Sequence, residues 1–359
     1  MTEARIAIIG GGLAGLYAAY RLDRLGVAFD LFEARNRLGG RILATESGGF
    51  DLGPSWFWPD FQPRMHALVT ELGLPVFEQY TAGATMLEDR AVGVVRRAGY
   101  LSGNTSMRVE GGTCELVAAL TDLLPPAHLH LSAALKAASL DGQAIRLVFA
   151  DTPDPSQTYT HIWLALPPRL AAGIQFSPSL PERDLQMLMA VPTWMAAHAK
   201  YVAHYGKPFW REAGLSGDAF SRIGPLTEIH DAGNEKGAAL FGFFGINAAQ
   251  RTGLTASEVK AACRAQLMRL FGEQAADPVE DAFYDWAADP YTATDQDRVS
   301  SGEHGALDAG FVFAALWRDK MRLIGSEAAV EQGGYMEGAL AAVDRVLAEM
   351  NLAAVDQPR

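Results

Sequence analysis

The sequence of 359 residues predicts an α/β protein with two interleaved lobes. Residues 5–33 alternate strand, glycine turn, helix and strand, which indicates a parallel sheet with helical crossovers. A second glycine-rich segment, residues 325–339, opens a helix near the C-terminus. Further strand and helix patterns lie between these ends. We therefore expect one lobe to be assembled from separated stretches and the other from the pieces between them.

The N-terminal elements follow one another without a gap. The apolar run Arg5–Ile9 predicts a buried strand. The glycine-rich residues 10–15 come next, and the helical pattern that starts there ends at Gly26. Ala28–Phe32 predicts the next strand, and the acidic residue Glu33 follows it directly. A strand, turn, helix, strand and acid in this order are typical of a dinucleotide-binding unit.

The glycine turn and the acid predict how a dinucleotide is held. Gly10 permits the tight turn, Gly12 lets a pyrophosphate approach the backbone, and Gly15 lets the helix pack closely on the strand. The helix N-terminus around Ala14 presents unpaired N–H groups and a positive dipole to the phosphates. Glu33 is placed to hydrogen-bond the ribose hydroxyls.

The segment after this acid distinguishes FAD from NAD. Residues 33–41 resemble the second signature of the glutathione-reductase-like flavoproteins, in which an acid is followed by Arg-x-Gly-Gly-Arg. The two glycines permit close backbone approach to the cofactor, and the final arginine supplies a charged donor near the phosphates or the flavin edge. The contacts expected from this segment are Glu33, Ala34, Arg35, Gly39, Gly40 and Arg41.

The remaining elements alternate in type along the chain. Helices are predicted over Pro63–Gly73, over Thr113–Leu124 and, with a capping box from Thr255 to Glu258, over Thr255–Phe271. Strands are predicted over Leu129–Leu135, Ala144–Phe149 and Tyr159–Ala165, around Lys200 and over residues 242–245. This order predicts an FAD-binding domain of residues 1–80, 107–167 and 287–359. The substrate domain comprises residues 81–106 and 168–286.

Composition and charge exclude several classes of function. A net charge of −12 argues against a nucleic-acid partner and against an anionic membrane surface. No apolar run approaches the length of a membrane span, and no signal peptide precedes the first strand, so a cytoplasmic protein is expected. The spacing of Cys114, Cys263 and the eight histidines, including His128 and His130, gives no metal motif, so no metal is predicted.

Several blocks in order along the chain resemble the flavin-containing amine oxidases, in particular the monoamine oxidase branch. The blocks are Asp51–Trp56, Ala165–Pro168, Phe176–Pro181, Lys200 with Pro208–Arg211, Trp286, Gly325–Glu327 and Gly334–Ala339. This resemblance implies a glutathione-reductase-like FAD lobe and a substrate lobe built on an antiparallel sheet. It adds these residues to the expected FAD contacts: Pro54, Ser55, Trp56, Leu135, Trp286, Gly325, Ser326, Glu327, Tyr335, Met336 and Ala339.

The resemblance also implies a reaction. A hydride leaves the carbon next to an amine nitrogen for FAD, the imine product hydrolyses, and dioxygen is reduced to hydrogen peroxide. Lys200 is expected to hold a water against the flavin and to assist reoxidation, and Tyr335 is expected to present an aromatic face to the amine. These two are the expected catalytic residues. The small-molecule amine and dioxygen are the expected partners.

Three features depart from the family pattern. The stretch before Gly111 is short, so much of the usual helical cover over the cavity is missing. The position of the flavin-linking cysteine falls near Asp295, and that of the second cage tyrosine near Gln296, which predicts FAD bound non-covalently. Trp58 stands where the family commonly has glycine. The expected substrate-facing residues are Trp56, Trp58 and Gln296.

These departures keep alternatives open. The protein is an oxidase or desaturase of a non-amine substrate, such as a dihydronicotinamide or a cyclic alkene, if the incomplete cage reflects another ligand. It is a flavin-binding protein without turnover if the site has decayed. For single residues, Lys200 is alternatively a surface lysine on an edge strand, and Tyr335 and Trp286 are alternatively core side chains. The sequence leaves open whether the protein is a monomer or a homodimer.

Overall fold

The computed structural model of the protein describes residues 4–99, 105–151, 157–299, 304, 307 and 311–352. The α-helices in this part of the chain are α1 (Leu13–Arg24), α2 (Pro63–Glu71), α3 (Cys114–Asp122), α4 (Pro168–Ala171), α5 (Glu182–Ala190), α6 (Phe209–Glu212), α7 (Ala248–Arg251), α8 (Ala256–Phe271) and α9 (Met336–Glu349). Short 3₁₀ helices cover Pro126–His128, Glu273–Ala276, Trp286–Ala288, Asp295–Arg298, Ala315–Trp317 and Ser326–Ala328.

The strands form four sheets. In chain order they are β1 (Arg5–Ile9), β2 (Ala28–Phe32), β3 (Val76–Glu78), β4 (Ala84–Asp89), β5 (Gly93–Arg97), β6 (Met107–Val109), β7 (Leu129–His130), β8 (Leu135–Asp141), β9 (Ala144–Phe149), β10 (His161–Leu164), β11 (Gln175–Ser177), β12 (Ala199–Tyr205), β13 (Leu215–Ser221), β14 (Leu226–Asp231), β15 (Ala238–Phe244), β16 (Glu280–Asp285) and β17 (Met321–Leu323). None of the helices in the described part of the chain is long and apolar enough to cross a lipid bilayer.

A five-stranded parallel sheet in the order β17-β10-β1-β2-β7 forms the first lobe. Ile6 and Ile8 of its central strand pack against α1 and α9 on one face. Ala7 and Ile9 point to the other face, where the small sheet β11-β8-β9 covers them. Both faces of β1 are therefore buried, as its continuous apolar sequence requires. The predicted Rossmann-type arrangement of sheet and helices is confirmed.

The second large sheet has seven strands in the order β16-β12-β15-β14-β13-β4-β5. Its strand pairs are antiparallel except β4 with β13, which run parallel, so the sheet is mixed rather than purely antiparallel. One face packs on α8 through Tyr201, Val259 and Leu267. The opposite face carries Val202 and Phe241 and turns toward the first lobe.

The predicted elements agree with the structure except around Leu129. The capping box of α8 is confirmed, because the side chain of Thr255 accepts from the N–H of Glu258 and the Glu258 carboxylate accepts from the N–H of Thr255. One strand over residues 129–135 is wrong. Ser132 has φ of 56°, which breaks the strand into β7 and β8. The N–H of Ser132 donates instead to the carbonyl of Arg35 at 2.8 Å, so the break ties this segment to the dinucleotide-binding unit.

Candidate active site

One cavity of about 740 Å³ extends from the glycine turn after β1 to the seven-stranded sheet. It is lined by both lobes. Most of the residues predicted from the sequence to touch a cofactor or substrate line it, namely Gly10, Gly12, Ala14, Glu33, Ala34, Arg35, Gly39, Gly40, Arg41, Pro54, Ser55, Trp56, Trp58, Leu135, Lys200, Trp286, Ser326, Tyr335, Met336 and Ala339. The predicted residues that do not line it are Gly15, Gly325, Glu327 and Gln296.

The glycine turn has the geometry that a pyrophosphate needs. A Cβ on Gly15 would lie 1.9 Å from the carbonyl oxygen of Gly10, so any side chain there would push α1 off the turn. Gly10 has φ of +108°, a conformation that favours glycine. At Gly12 the nearest atom to an added Cβ is 3.8 Å away, so the missing side chain leaves open space toward the cavity. No side chain caps α1, and its first N–H groups are free to bind an anion.

Glu33 holds the turn from below. It is 3% exposed, and its Oε2 accepts from the N–H of Gly11 at 2.7 Å. Its Oε1 accepts from the N–H of Arg35 at 2.8 Å. A carboxylate has about four acceptor positions, so these two bonds leave capacity for ribose hydroxyls. The Arg35 guanidinium is fixed by Asp289 at 2.6 Å, which connects this end of the cavity to the segment after β16.

Arg41 joins three blocks that are distant in sequence. Its guanidinium donates to the carbonyl of Trp194 at 3.1 Å and to Ser326 Oγ at 2.8 Å. It also pairs with the buried carboxylate of Glu327 at 2.8 Å. Glu327 thus supports the cavity wall from behind rather than touching a ligand. Gly325 has a similar role, because a Cβ there would lie 2.8 Å from the carbonyl oxygen of Leu166.

Lys200 lies at the other end of the cavity and is 2% exposed. Its strand, β12, pairs with β15 on one side and β16 on the other, so the alternative of a surface lysine on an edge strand is wrong. Nζ donates to Ser55 Oγ at 2.7 Å and to the Gly53 carbonyl at 2.9 Å, and lies 4.0 Å from the ring centre of Phe241. Burial lowers the pKa of Lys200 to about 7.

Aromatic rings form one wall between these two ends. Tyr335 precedes α9 and is half-buried. The Trp58 ring stands perpendicular to it at 6.3 Å, and Trp194 lies 6.1 Å away on another side. The imidazole of His304 stacks on Tyr335 at 4.9 Å and on Trp194 at 3.4 Å. The wall is therefore assembled from three segments of the chain, and of these residues only Tyr335 and Trp58 were predicted.

The prediction that Gln296 faces the substrate is corrected. Gln296 is exposed and does not line the cavity. The reason lies in its neighbour Asp297, whose carboxylate is buried and accepts from the N–H of Thr294 and from Arg169. This anchoring turns residue 297 inward and residue 296 outward. Trp286 does reach the cavity, and its indole N–H donates to the Leu52 carbonyl at 3.1 Å.

Sequence reasoning missed several residues of the substrate end. Trp194, His198, Thr227, Glu228 and Phe243 all line the cavity. None belongs to a motif. The one available signal was alternation: Glu228 and His230 lie two residues apart on β14, as expected for one face of a strand. Among the described residues, no group of three His, Cys, Asp or Glu side chains is arranged to hold a metal ion.

A dinucleotide turn that opens into a cavity with an aromatic far end defines an oxidoreductase with a nucleotide cofactor. The chain belongs to the family of flavin containing amine oxidoreductases, which it matches over residues 93–346, while residues 8–72 match an NAD(P)-binding Rossmann-like domain. The protein is therefore an FAD-dependent oxidoreductase of the amine oxidase family.

Relatives of known name cover nearly the whole chain at low identity. The chain is 25% identical to the probable flavin-containing monoamine oxidase A of Dictyostelium discoideum, over 96% of the chain and 97% of that protein. It is 26% identical to the putrescine oxidase of Kocuria rosea, over 81% and 83% of the two chains. The first alignment spans 453 positions, more than the 359 residues of the chain, so that relative has internal segments that this chain lacks.

Solved structures share the fold. A putrescine oxidase with bound putrescine superposes with a TM-score of 0.80 at 21% identity, covering 97% of this chain and 99% of the other. The cyclohexylamine oxidase of Brevibacterium oxydans IH-35A gives a TM-score of 0.81 at 19% identity, with coverage of 97% and 98%. The two-lobe fold predicted from the sequence is confirmed.

The residues fit FAD at both ends of the cofactor. The glycine turn and the uncapped α1 match the pyrophosphate, and Glu33 retains acceptor capacity for the ribose. A second uncapped helix, α9, points its N-terminus into the cavity at Met336, where its N–H groups and dipole suit the electron-rich edge of a flavin ring. Two helix termini without side-chain caps in one cavity are accounted for by a ligand that supplies the acceptors.

Proposed function

We propose that the protein oxidises a small amine and passes the electrons to dioxygen. The observation that carries this proposal is the buried ammonium of Lys200 next to Ser55 in the cavity where Tyr335, Trp58 and Trp194 form an aromatic wall. Bound FAD accepts a hydride from the carbon next to the amine nitrogen and returns the electrons to dioxygen, giving hydrogen peroxide and an imine that hydrolyses.

The protein contributes placement, dryness and charge. The aromatic wall excludes water and presents ring faces, which attract and orient an amine nitrogen through their quadrupoles. Tyr335 is proposed as the central ring, because Trp58 stands perpendicular to it at 6.3 Å and keeps it upright. The N-terminus of α9 stabilises negative charge at the edge of the cofactor.

Lys200 is proposed to hold a water molecule and to supply positive charge where dioxygen is reduced. Its Nζ has three protons, and Ser55 and Gly53 accept two of them. The third remains for a water or for a reduced oxygen species. A pKa of about 7 leaves both the charged and the neutral form populated near neutral pH, so this side chain can also release and regain a proton.

The division into lobes is proposed as the sequence predicted it. It is supported by strand pairing, because β4 from residues 81–106 pairs with β13 from residues 168–286. In the same way β17 from the C-terminal stretch pairs with β10, which belongs to residues 107–167. A cytoplasmic location is also proposed, and the two unpaired cysteines, Cys114 and Cys263, support it.

Anaerobic mixing tests the reaction directly. The FAD-loaded protein is mixed with a panel of primary and secondary amines, a dihydronicotinamide and a cyclic alkene, and the flavin absorbance is followed. Bleaching by amines alone is the expected result. Bleaching by a non-amine alone replaces the proposal with the second function that the incomplete cage suggested. No bleaching by any compound indicates a flavin-binding protein without turnover.

The Lys200→Met variant tests the role of the lysine. This change keeps the length of the side chain and removes its charge and its donors to Ser55 and Gly53. Reoxidation of the reduced enzyme by dioxygen should slow more than reduction by an amine does. Stopped-flow measurement of the two half-reactions separates them. Equal effects on both, or none on either, would leave Lys200 with a structural role only.

A further inference from the structure

Three ionisable side chains, Asp218, His230 and Glu228, form a hydrogen-bonded row that ends in the cavity. His230 Nδ1 lies 2.8 Å from Asp218 Oδ1, and its Nε2 lies 2.7 Å from Glu228 Oε1. The side chains of Asp218 and His230 are 7% and 13% exposed, whereas that of Glu228 is 44% exposed and lines the cavity. The cavity thus meets a carboxylate that is held from behind by a buried imidazole and a second carboxylate.

The charges of this row favour an anion at its cavity end. Burial opposes a charge on His230, but hydrogen bonds to Asp218 and Glu228 outweigh it and raise the pKa of the imidazole. The hydrogen bond from His230 lowers the pKa of the Glu228 carboxyl. Two carboxylates and one imidazolium leave a net charge of about −1 on the row near neutral pH. Its exposed member is Glu228.

Strand register places this carboxylate beside the proposed reaction centre. Phe243 of β15 is the register partner of Lys200 on one side and of Glu228 on the other. Neighbouring strands lie ~4.8 Å apart, so the backbones of Lys200 and Glu228 are separated by roughly 10 Å with the Phe243 ring between them. An irregularity of register between Leu226 and Glu228 occurs at this point, and such bulges re-aim side chains next to functional sites.

The carboxylate of Glu228 is not used up by the fold. Within the described part of the chain, His230 is the one side chain found to hydrogen-bond it, and that bond engages Oε1. The other acidic residue that lines the cavity among the described residues is Glu33, which lies at the glycine turn with both oxygens bonded to backbone N–H groups. Glu228 is therefore the acidic group at the substrate end.

We infer that Glu228 binds a second, cationic nitrogen of the substrate, so that the site takes linear aliphatic diamines and related polyamines in preference to monoamines. The inference rests on the proposed amine oxidation. The reacting nitrogen lies at the Lys200 end, the alkyl chain runs along Phe243, and the distal ammonium pairs with the free oxygen of Glu228. His230 is a positioning residue, which orients the carboxylate and keeps it ionised while Asp218 holds the imidazole.

The experiment compares diamines with monoamines of the same length. A series of α,ω-diamines of increasing chain length, each paired with the n-alkylamine of that length, is assayed for kcat/KM with the FAD-loaded wild-type protein and the Glu228→Gln variant. The variant should lose roughly 10–100-fold in kcat/KM with the best diamine, the loss typical of a charge-assisted hydrogen bond. Monoamine turnover should change less than about 3-fold, because no such bond is lost. Glu273→Gln, an exposed glutamate after α8, removes the same charge elsewhere and should leave both unchanged.

The role of His230 has a separate readout. In His230→Gln the Glu228 carboxyl loses the hydrogen bond that lowers its pKa, so the acidic limb of the diamine kcat/KM profile should move to higher pH. The monoamine profile should keep its position. A parallel shift of both profiles would indicate a general structural effect and would overturn the positioning role.

The outcomes separate this inference from the proposed function. Amine oxidation with equal losses for diamine and monoamine in Glu228→Gln, or with no loss for either, overturns the inference and leaves the proposed function standing. If no amine reduces the flavin, the proposed function fails. Calorimetric titration of a diamine into the oxidised wild-type and Glu228→Gln proteins then decides the binding site alone, since equal affinities would refute it and a 10-fold or larger difference, roughly one charge-assisted bond, would support it.

Discussion

The burial of Lys200 makes the stability of the protein depend on pH in a predictable direction. Burial lowers the pKa of this ammonium from the ordinary 10.5 to about 7. In the unfolded chain the ammonium is hydrated and keeps its ordinary pKa. Between these two values the unfolded state therefore binds more protons than the folded state, and the contribution of Lys200 to the free energy of unfolding rises with pH.

The magnitude follows from the difference between the two pKa values. A difference of one pKa unit corresponds to about 1.4 kcal/mol, so the shift from 10.5 to about 7 corresponds to a cost on the order of 5 kcal/mol. The cost is complete below pH 7, where both states are protonated, and disappears as the pH reaches that of the unfolded lysine. Lys200→Met removes the titrating group and hence this dependence. Relative to the variant, the wild-type protein should gain about 3 kcal/mol between pH 7 and 9.

Urea unfolding at a series of pH values measures this gain. Wild-type and Lys200→Met proteins are unfolded with the same excess of FAD, and their free energies of unfolding are subtracted at each pH, so that other titrating groups cancel. The control is Lys136→Met, because Lys136 is exposed on β8. A constant offset is expected as well, since the methionine leaves the acceptors at Gly53 and Ser55 without their donor. A difference that stays flat with pH, or that equals the control, would refute the reasoning.

Three further predictions concern the cofactor and the aromatic wall. FAD should be released into the supernatant by acid precipitation, because no cysteine follows Trp286 in the described segment up to residue 299; flavin in the pellet would contradict this. Glu33→Ala should weaken FAD binding by about 1–3 kcal/mol, measured by titrating FAD into the deflavinated protein, whereas the exposed Glu46→Ala should not. Tyr335→Phe should keep most amine turnover, whereas Tyr335→Leu should lose about 0.5–2 kcal/mol of transition-state stabilisation; an equal loss with a neutral isostere would argue against an amine-orienting role.

The dinucleotide-binding end could be predicted from the sequence because its determinants are local. Gly10, Gly12, Gly15 and Glu33 lie within 24 consecutive residues, and each acts on a backbone that is adjacent in the chain. A steric requirement of this kind leaves a fixed spacing in the sequence. The same holds for the capping box of α8, which depends on residues three positions apart.

The substrate end could not be predicted in the same way, because its residues come together through strand order. Glu228 approaches Lys200 only because β14 and β12 flank β15, and the sequence carries no record of that order. Gln296 shows the opposite error. Its position was inferred by counting from Trp286, but the buried ion pair of Asp297 with Arg169 sets the direction of the side chains there.

The buried charges at the two ends of the Phe243 side chain connect the fold to the choice of substrate. Lys200 is kept in an apolar sheet face by two acceptors from the segment at Gly53, whereas Glu228 is kept ionised by an imidazole from its own strand. A monoamine would satisfy only the aromatic wall and leave the carboxylate to water. A diamine would satisfy both, and its length would be set by the spacing of two neighbouring strand pairs, roughly 10 Å. Selectivity for chain length should therefore reside in the register of the sheet, and mutations of the cavity wall should change the rate with every amine more than the preferred length.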